Sequence, residues 1–363
     1  MSSSLPSPSS SDEPPAGSVA ADDLLPPVEP PSAKFIIQLF VTPMIIVACV
    51  VGVWLLIQWL ANSGGEDPDK IVAALRSSNQ ARFQQAERLS HMLQAEGRYP
   101  ELKTNSKLLG KLADLLIEQV DAPGEGEGDI TMRIFLAKSL GEFHVDDGLP
   151  ALIATAQRDK ERDVRRFAVN GIAVLASTVP DLDRPELREL LRSLADSDDQ
   201  LLRSEAAFAA GVLAAAPEAN AEYRELLAAL AEDFYPDARY NAALGLARAG
   251  DLRAVPVLQE MLDLESLSAS VESEEGVGDQ ADQDKSDLLV RLRKSKRDTL
   301  LKTTLRGVEL LLEKHSPGDL SGLNDSLDQF LTQAGQLEEP QLVPNSLLEK
   351  AEQLKSKFES SAP

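Results

Sequence analysis

From residue 68 onward the apolar residues fall at intervals of three and four, the spacing that gathers side chains on one face of an α-helix. Ile71, Ala74 and Leu75 begin this pattern, and Phe83, Ala86, Leu89 and Leu93 continue it. Leu108, Leu109, Leu112, Leu115 and Leu116 form the next set. After a Gly-rich break, APGEGEGD at 122–129, helical spacing returns and persists to about Asp263. A second break, ESLSASVESEEGVGDQADQD, is acidic and poor in large apolar residues, and it predicts a disordered insertion over 264–286. Leu301, Leu305, Val308 and Leu312 then share one face of a further helix. Helices are also expected at Leu323–Ala334 and Ser346–Phe358.

Two stretches near the amino terminus follow other rules. Residues 1–34 are rich in Pro, Ser and acidic residues, with no periodicity, and read as a disordered spacer or a peptide ligand for an aromatic groove. Residues 35–61, FIIQLFVTPMIIVACVVGVWLLIQWLA, hold no charge and exceed the roughly 20 apolar residues that a span requires. They predict one transmembrane helix, with Pro43 in its first third and Trp54 and Trp59 towards its far end. Lys34 on one flank against Lys70 and Arg76 on the other leaves orientation open. The domain plan is therefore a tail (1–34), a span (35–61), a linker (62–67), helical repeats (68–121), a flexible joint (122–128) and a repeat array (129–263). The acidic insertion (264–286), a carboxy-terminal helical repeat (287–335) and a tail with a short helix (336–363) complete it.

The array repeats itself. DITMRIFLAKSL, RDVRRFAVNGIA, DQLLRSEAAFAA and PDARYNAALGLA align on Arg133, Arg165, Arg203 and Arg239, which are 32, 38 and 36 residues apart. Periods of this size signal a solenoid. Each arginine is followed at +3 and +4 by Leu136/Ala137, Ala168/Val169, Ala206/Ala207 or Ala242/Ala243, and at +7 by Leu140, Ile172, Ala210 or Leu246. Small residues on that face let a neighbouring helix approach closely. Pro150 and Pro256 each stand 17 residues after their arginine, where proline suits the first turn of the next helix. Asp147 and Asp251 are candidate caps just ahead of them, and the two middle copies depart from this turn.

The run Asp163-Val-Arg with Ala168 beyond it, and Gly250-Asp-x-x-Ala-Val-Pro-x-Leu, resemble HEAT and HEAT-like repeats of the type also seen in phycobilisome lyases. The resemblance covers 129–263 well, and 68–120 and 288–334 weakly. It implies an all-α, HEAT-type α-solenoid of antiparallel helix pairs, with repeat arginines and aspartates bonding between adjacent units. The order of tail, span and repeats is similar to membrane-anchored HEAT proteins of bacteria, which implies a single-pass protein of the inner membrane.

Charge and chemistry narrow the function. A net charge of −23 disfavours nucleic-acid binding, which depends on basic side chains. One cysteine, Cys49, excludes an internal disulfide and a cysteine zinc site. His91, His144 and His315 lie in unlike contexts, and no HExxH, GxSxG or phosphate-loop motif occurs. His144 with Asp146 and Asp147 reads as a repeat turn rather than a metal site, and GEGEGD lacks the ligand positions of an EF-hand. Neither catalysis nor a cofactor is expected. The basic run Arg291, Arg293, Lys294, Lys296 and Arg297 reads as a solvated helix face or as a contact for anionic lipid or an acidic partner, with the acidic stretch upstream competing for it. The function expected is a membrane-tethered scaffold for protein partners. Alternatives are a regulatory subunit of a transporter or quality-control complex, and a lyase-like enzyme or chaperone for a small molecule.

Overall fold

The computed structural model describes residues 32–63, 68–77, 80–95, 97–124, 126–273, 283–338 and 342–360. The expected amino-terminal tail lies almost wholly outside them. All regular structure in the described residues is helical. The chain divides into two units, 1–65 and 66–363.

In the first unit, α1 (Ala33–Ser63) is a single helix with Pro43 inside it. Its segment Ile37–Leu56 has a mean hydropathy of 2.6, long and apolar enough by length and composition to cross a bilayer. Met44, Val50 and Trp54 all stand exposed along it.

The second unit begins with α2 (Pro68–Leu75), α3 (Ala81–Gln94), the single turn α4 (Pro100–Lys103) and α5 (Ser106–Asp121). Then come α6 (Glu127–Gly141), α7 (Leu149–Arg158), α8 (Arg162–Thr178), α9 (Pro185–Ala195), α10 (Gln200–Leu213), α11 (Ala221–Leu230), α12 (Pro236–Ala249) and α13 (Val255–Leu262). It ends with α14 (Leu264–Ser273), α15 (Gln283–Leu312), α16 (Ser321–Ala334) and α17 (Asn345–Ser360). Even-numbered helices α6, α8, α10 and α12 pack each on the next, and α15 extends that inner row beyond α12. Helices α5, α7, α9 and α11 form a parallel outer row, and each hairpin joins the two rows. This is a stack of antiparallel helix pairs in which each unit buries its apolar face against its neighbours.

The residues at +3, +4 and +7 from the four arginines line the inner row. Leu136, Ala137, Ala168, Ala206, Ala242 and Ala243 are all fully buried, as are Leu140, Ile172, Ala210 and Leu246. Two crossings are closer than alanine allows. A Cβ on Gly141 of α6 would lie 2.5 Å from the Gly171 carbonyl oxygen of α8. A Cβ on Gly245 of α12 would lie 2.6 Å from Gly211 Cα of α10. The glycines sit at +8, +6, +8 and +6 from their arginines, so the inner helices approach most closely in pairs.

Two expectations need correcting. Disorder does not begin at 264: α14 is a helix to Ser273, because Leu264, Leu267 and Val271, spaced three and four apart, are buried. Its first turn is held by Asp263, whose carboxylate accepts from the Ser266 hydroxyl at 2.6 Å, and by Gln333, which accepts from the Leu264 N–H. Three apolar residues suffice to dock a short helix against a preformed surface, even in an acidic sequence. The helix α15 likewise starts inside the expected insertion, at Gln283, and only 274–282 lies outside the described residues. The cap assignments divide as well. Asp251 accepts from the Arg253 N–H, whereas Asp147 sits within a short 3-10 turn and caps nothing.

Candidate functional site

The four arginines occupy successive inner helices: Arg133 in α6, Arg165 in α8, Arg203 in α10 and Arg239 in α12. Three of them make one recurring clasp. Arg203 donates through Nε and Nη2 to the two oxygens of Asp233, at 2.7 and 3.0 Å, and through Nη1 to the Ser197 carbonyl at 2.9 Å. Arg239 grips Glu260 in the same side-on manner, at 3.1 and 2.5 Å, and its Nη1 reaches the Asp233 carbonyl at 2.6 Å. Arg133 does so with Asp159, at 2.8 and 3.4 Å, and with the Gly124 carbonyl at 3.2 Å. The carboxylate lies at or near the end of the outer helix of the arginine's own hairpin, and the carbonyl belongs to the turn that enters the hairpin.

The bonding between units therefore differs from the expectation. Carboxylates close their own hairpin, and backbone carbonyls link it to the previous one. Asp233 serves both: its side chain takes Arg203 and its carbonyl takes Arg239. At the last clasp glutamate replaces aspartate, since Glu260 lies within α13 and needs the longer side chain to reach back. Arg133 and Asp159 are almost wholly buried, at 1% and 0% side-chain exposure. Burial alone would raise the Asp233 carboxyl, but the bonds from Arg203 and from the Tyr235 N–H outweigh it and leave it below the usual range. The Gly-rich 122–128 segment is engaged too, because Gly124 accepts Arg133 and Asp129 accepts Arg82 at 3.0 Å.

Arg165 breaks the series. Among the described residues it forms no ion pair, and its Nε is buried without a hydrogen-bond partner. Its neighbour Arg166 instead spans from α8 to Glu205 of α10 at 3.1 Å. Beside the last clasp, Tyr240 donates to Glu260 at 3.0 Å and lies 2.9 Å from the Ser270 hydroxyl, which ties α14 to the array. Burial pushes the Tyr240 hydroxyl up to about 12, so it stays a neutral donor. Tyr223 and Arg188 converge in the same way on Asp183, at 2.6 Å each.

Pro150 and Pro256 stand in the first turns of α7 and α13. Pro150 is exposed and borders an open groove of about 710 Å³ between α7 and α9, with Ile153, Asp147 and Glu186. Asp146 at its edge pairs with Arg184 at 2.8 Å. No group of three or more His, Cys, Asp or Glu placed to hold a metal occurs among the described residues. His144 is tied by its backbone N–H to the Lys103 carbonyl at 2.8 Å.

The basic run of α15 separates into two sets. Lys296 pairs with Asp237 of α12 at 3.0 Å, and Arg297 is buried, bonding Asp298 and the Leu342 carbonyl. Arg293 lines a small groove against α14 with Val271 and Glu272. Lys294 borders that groove as well, and with Arg291 it also lines a groove of about 520 Å³ between α15 and the start of α17, with Lys302 about two turns further on. Among the described residues neither Arg291 nor Lys294 makes an ion pair. Leu288, Val290 and Leu292 are exposed at 56%, 40% and 51% beside them.

No protein-family model and no curated protein matches the chain. Among solved structures it is similar to a designed armadillo repeat protein in complex with the peptide (KR)4, at 16% identity over 68% of this chain and 100% of that one, with a TM-score of 0.41. It is also similar to an engineered protein at 16% identity, over 84% of this chain and 71% of that one, with a TM-score of 0.40. A third likeness is to YibA of E. coli at 17% identity, over 80% and 92%, with a TM-score of 0.31. At these distances the architecture rests on the helix packing described above. Periodicity in the sequence led to the arginines. The paired glycines carried a signal of their own, alternating at +8 and +6 from the arginines, which alignment on apolar positions passes over; the carboxylate partners stand at unequal offsets of 26, 30 and 21 residues and carried none.

Proposed function

We propose that the protein is a HEAT-type helical-repeat scaffold, tethered to a membrane by α1, that holds protein partners and performs no catalysis. The observation that carries this reading is the recurring clasp. Arg133, Arg203 and Arg239, the charged groups that recur, are engaged in closing hairpins and joining them, so the repeat chemistry is structural. The groove between α7 and α9, bordered by Asp147, Pro150, Ile153 and Glu186, offers mixed apolar and acidic contacts suited to a polypeptide carrying basic residues. The apolar run of α1 supports the tether, which raises the effective concentration of membrane-associated partners.

The test is affinity purification of the tagged full chain after mild detergent extraction, with mass spectrometry of what accompanies it. One constant partner, lost from a Glu186→Lys, Ile153→Asp variant that melts like the parent, is the expected result. Recovery unchanged by that variant removes the groove from the reading, and the absence of any constant partner removes the scaffold.

A further inference from the structure

We propose that the amino-terminal half of α15 is a docking face for anionic lipid headgroups, which lays this part of the repeat unit on a bilayer surface. The proposal deepens the tethered-scaffold reading and rests on its membrane setting.

The argument starts from a charge reversal. The chain carries 59 acidic and 36 basic residues, yet 286–302 holds six basic residues and two acidic ones. The carboxy-terminal half of α15 is buried through Leu301, Leu305, Val308 and Leu311, and it belongs to the inner row. The preceding turns emerge from the stack and leave Leu288, Val290 and Leu292 exposed, with Leu288 and Leu292 one helical turn apart. Lys296 and Arg297 fix the helix internally. Arg291 and Lys294 have no carboxylate partner among the described residues, on the helix that carries the exposed leucines.

Exposed leucines flanked by lysine and arginine fit the bilayer interface. Apolar side chains enter the acyl boundary while the long cationic side chains stay with the phosphates. A purely acidic surface would satisfy the cations but offer the leucines nothing apolar to enter. A chain bearing its own apolar span also has a bilayer within reach at all times, so lipid is the occupant to which the face is matched.

The test uses the full chain with Cys49→Ser and Leu292→Cys, labelled with an environment-sensitive fluorophore. It is reconstituted in phosphatidylcholine vesicles with or without 30% phosphatidylglycerol, both sets carrying lipid quenchers at the acyl boundary. A label at Phe234→Cys, a 98% exposed site on another turn, reports background. Quenching and a blue shift at position 292 that require the anionic lipid are expected. High salt and the Arg291→Glu, Lys294→Glu variant should abolish them; loss of the two cations alone lowers the docking equilibrium about thirty-fold, at roughly five-fold per basic residue, and the glutamates lower it further. Equal signals in neutral and anionic vesicles overturn the proposal, as does quenching that survives the charge reversal. Alkaline carbonate extraction of the same vesicles judges the tether independently. If the chain is stripped, the tether falls, while adding vesicles to the labelled protein still judges α15.

Discussion

Replacing glycine by alanine should act in opposite directions at two helical positions of this protein. Gly110 lies inside α5, and a Cβ there meets nothing within 4 Å. Gly110→Ala should stabilise by about 0.5–1 kcal/mol, because alanine loses less backbone entropy in a helix. Gly245 lies inside α12 with the same intrinsic preference, but its Cβ would stand 2.6 Å from Gly211 Cα and 3.1 Å from both methyl carbons of Leu227. Backbone cannot turn aside as a side chain can, so α10 and α12 must part by about 1 Å, a gap that forfeits a quarter to a half of each contact's dispersion energy. Ala206, Ala207, Ala242 and Ala243 line the helices that would separate and are fully buried. Overpacking of this kind costs about 1–3 kcal/mol, occasionally more, and should outweigh the propensity gain. Urea titration of the full chain in mild detergent, followed by far-ultraviolet circular dichroism, compares the midpoints at equal slope. A Gly245→Ala midpoint at or above that of Gly110→Ala would refute the close crossing and the stacking built on it.

Arg133→Met should cost about 3–5 kcal/mol, because it strands a buried Asp159; pairing it with Asp159→Leu should restore most of the loss in the same titration. Arg165→Met, at a site with no ion pair among the described residues, should shift the midpoint by less than about 1 kcal/mol. Ala206→Leu or Ala242→Leu should destabilise by about 1–3 kcal/mol, and variants that melt like the parent would remove these alanines from the helix interface. Hydrogen bonds from Lys350 and Lys357 of α17, with Arg306, hold the Glu309 carboxyl of α15 down to about 2. Its contribution is therefore complete above the ordinary glutamate range, near pH 4.5, and is lost as pH falls towards 2. Protection factors of α17 amides, taken relative to intrinsic exchange at each pH, should fall over that window and be already low in Glu309→Gln at pH 6.

Much of this architecture is legible because repetition multiplies weak signals. One arginine four residues into a helix says little, whereas four in register, each followed by small or aliphatic residues at +3, +4 and +7, define the inner row that the structure contains. The acidic stretch after Asp263 misled, because its composition hides Leu264, Leu267 and Val271, and a helix docking on an existing stack needs few anchors. The basic run of α15 misled in another way. Five cations in seven residues look uniform, yet a helix turns adjacent residues to different neighbours, so Lys296 and Arg297 bond into the fold while Arg291 and Lys294 form no ion pair among the described residues. No local pattern separates the two sets, since the distinction depends on Asp237 and Leu342, 59 and 45 residues away.

The clasp also explains how the hairpins tolerate unequal turns. Arg203 with Asp233, and Arg239 with Glu260, act at the end of each hairpin where the chain enters and leaves. The turn inside the hairpin lies at the opposite end, and there the copies differ: a short 3-10 turn follows α12, while a longer irregular stretch follows α10. Fixing one end through a bidentate pair and a carbonyl sets the angle between helices without reference to the other. Length and sequence at the free end can then change at little cost to the stack. Asp146, Asp147 and Pro150, which border the groove between α7 and α9, belong to that free end. A partner that binds there would be recognised by residues the clasps leave unconstrained, so removing the groove's specificity should spare stability, and removing a clasp should cost both.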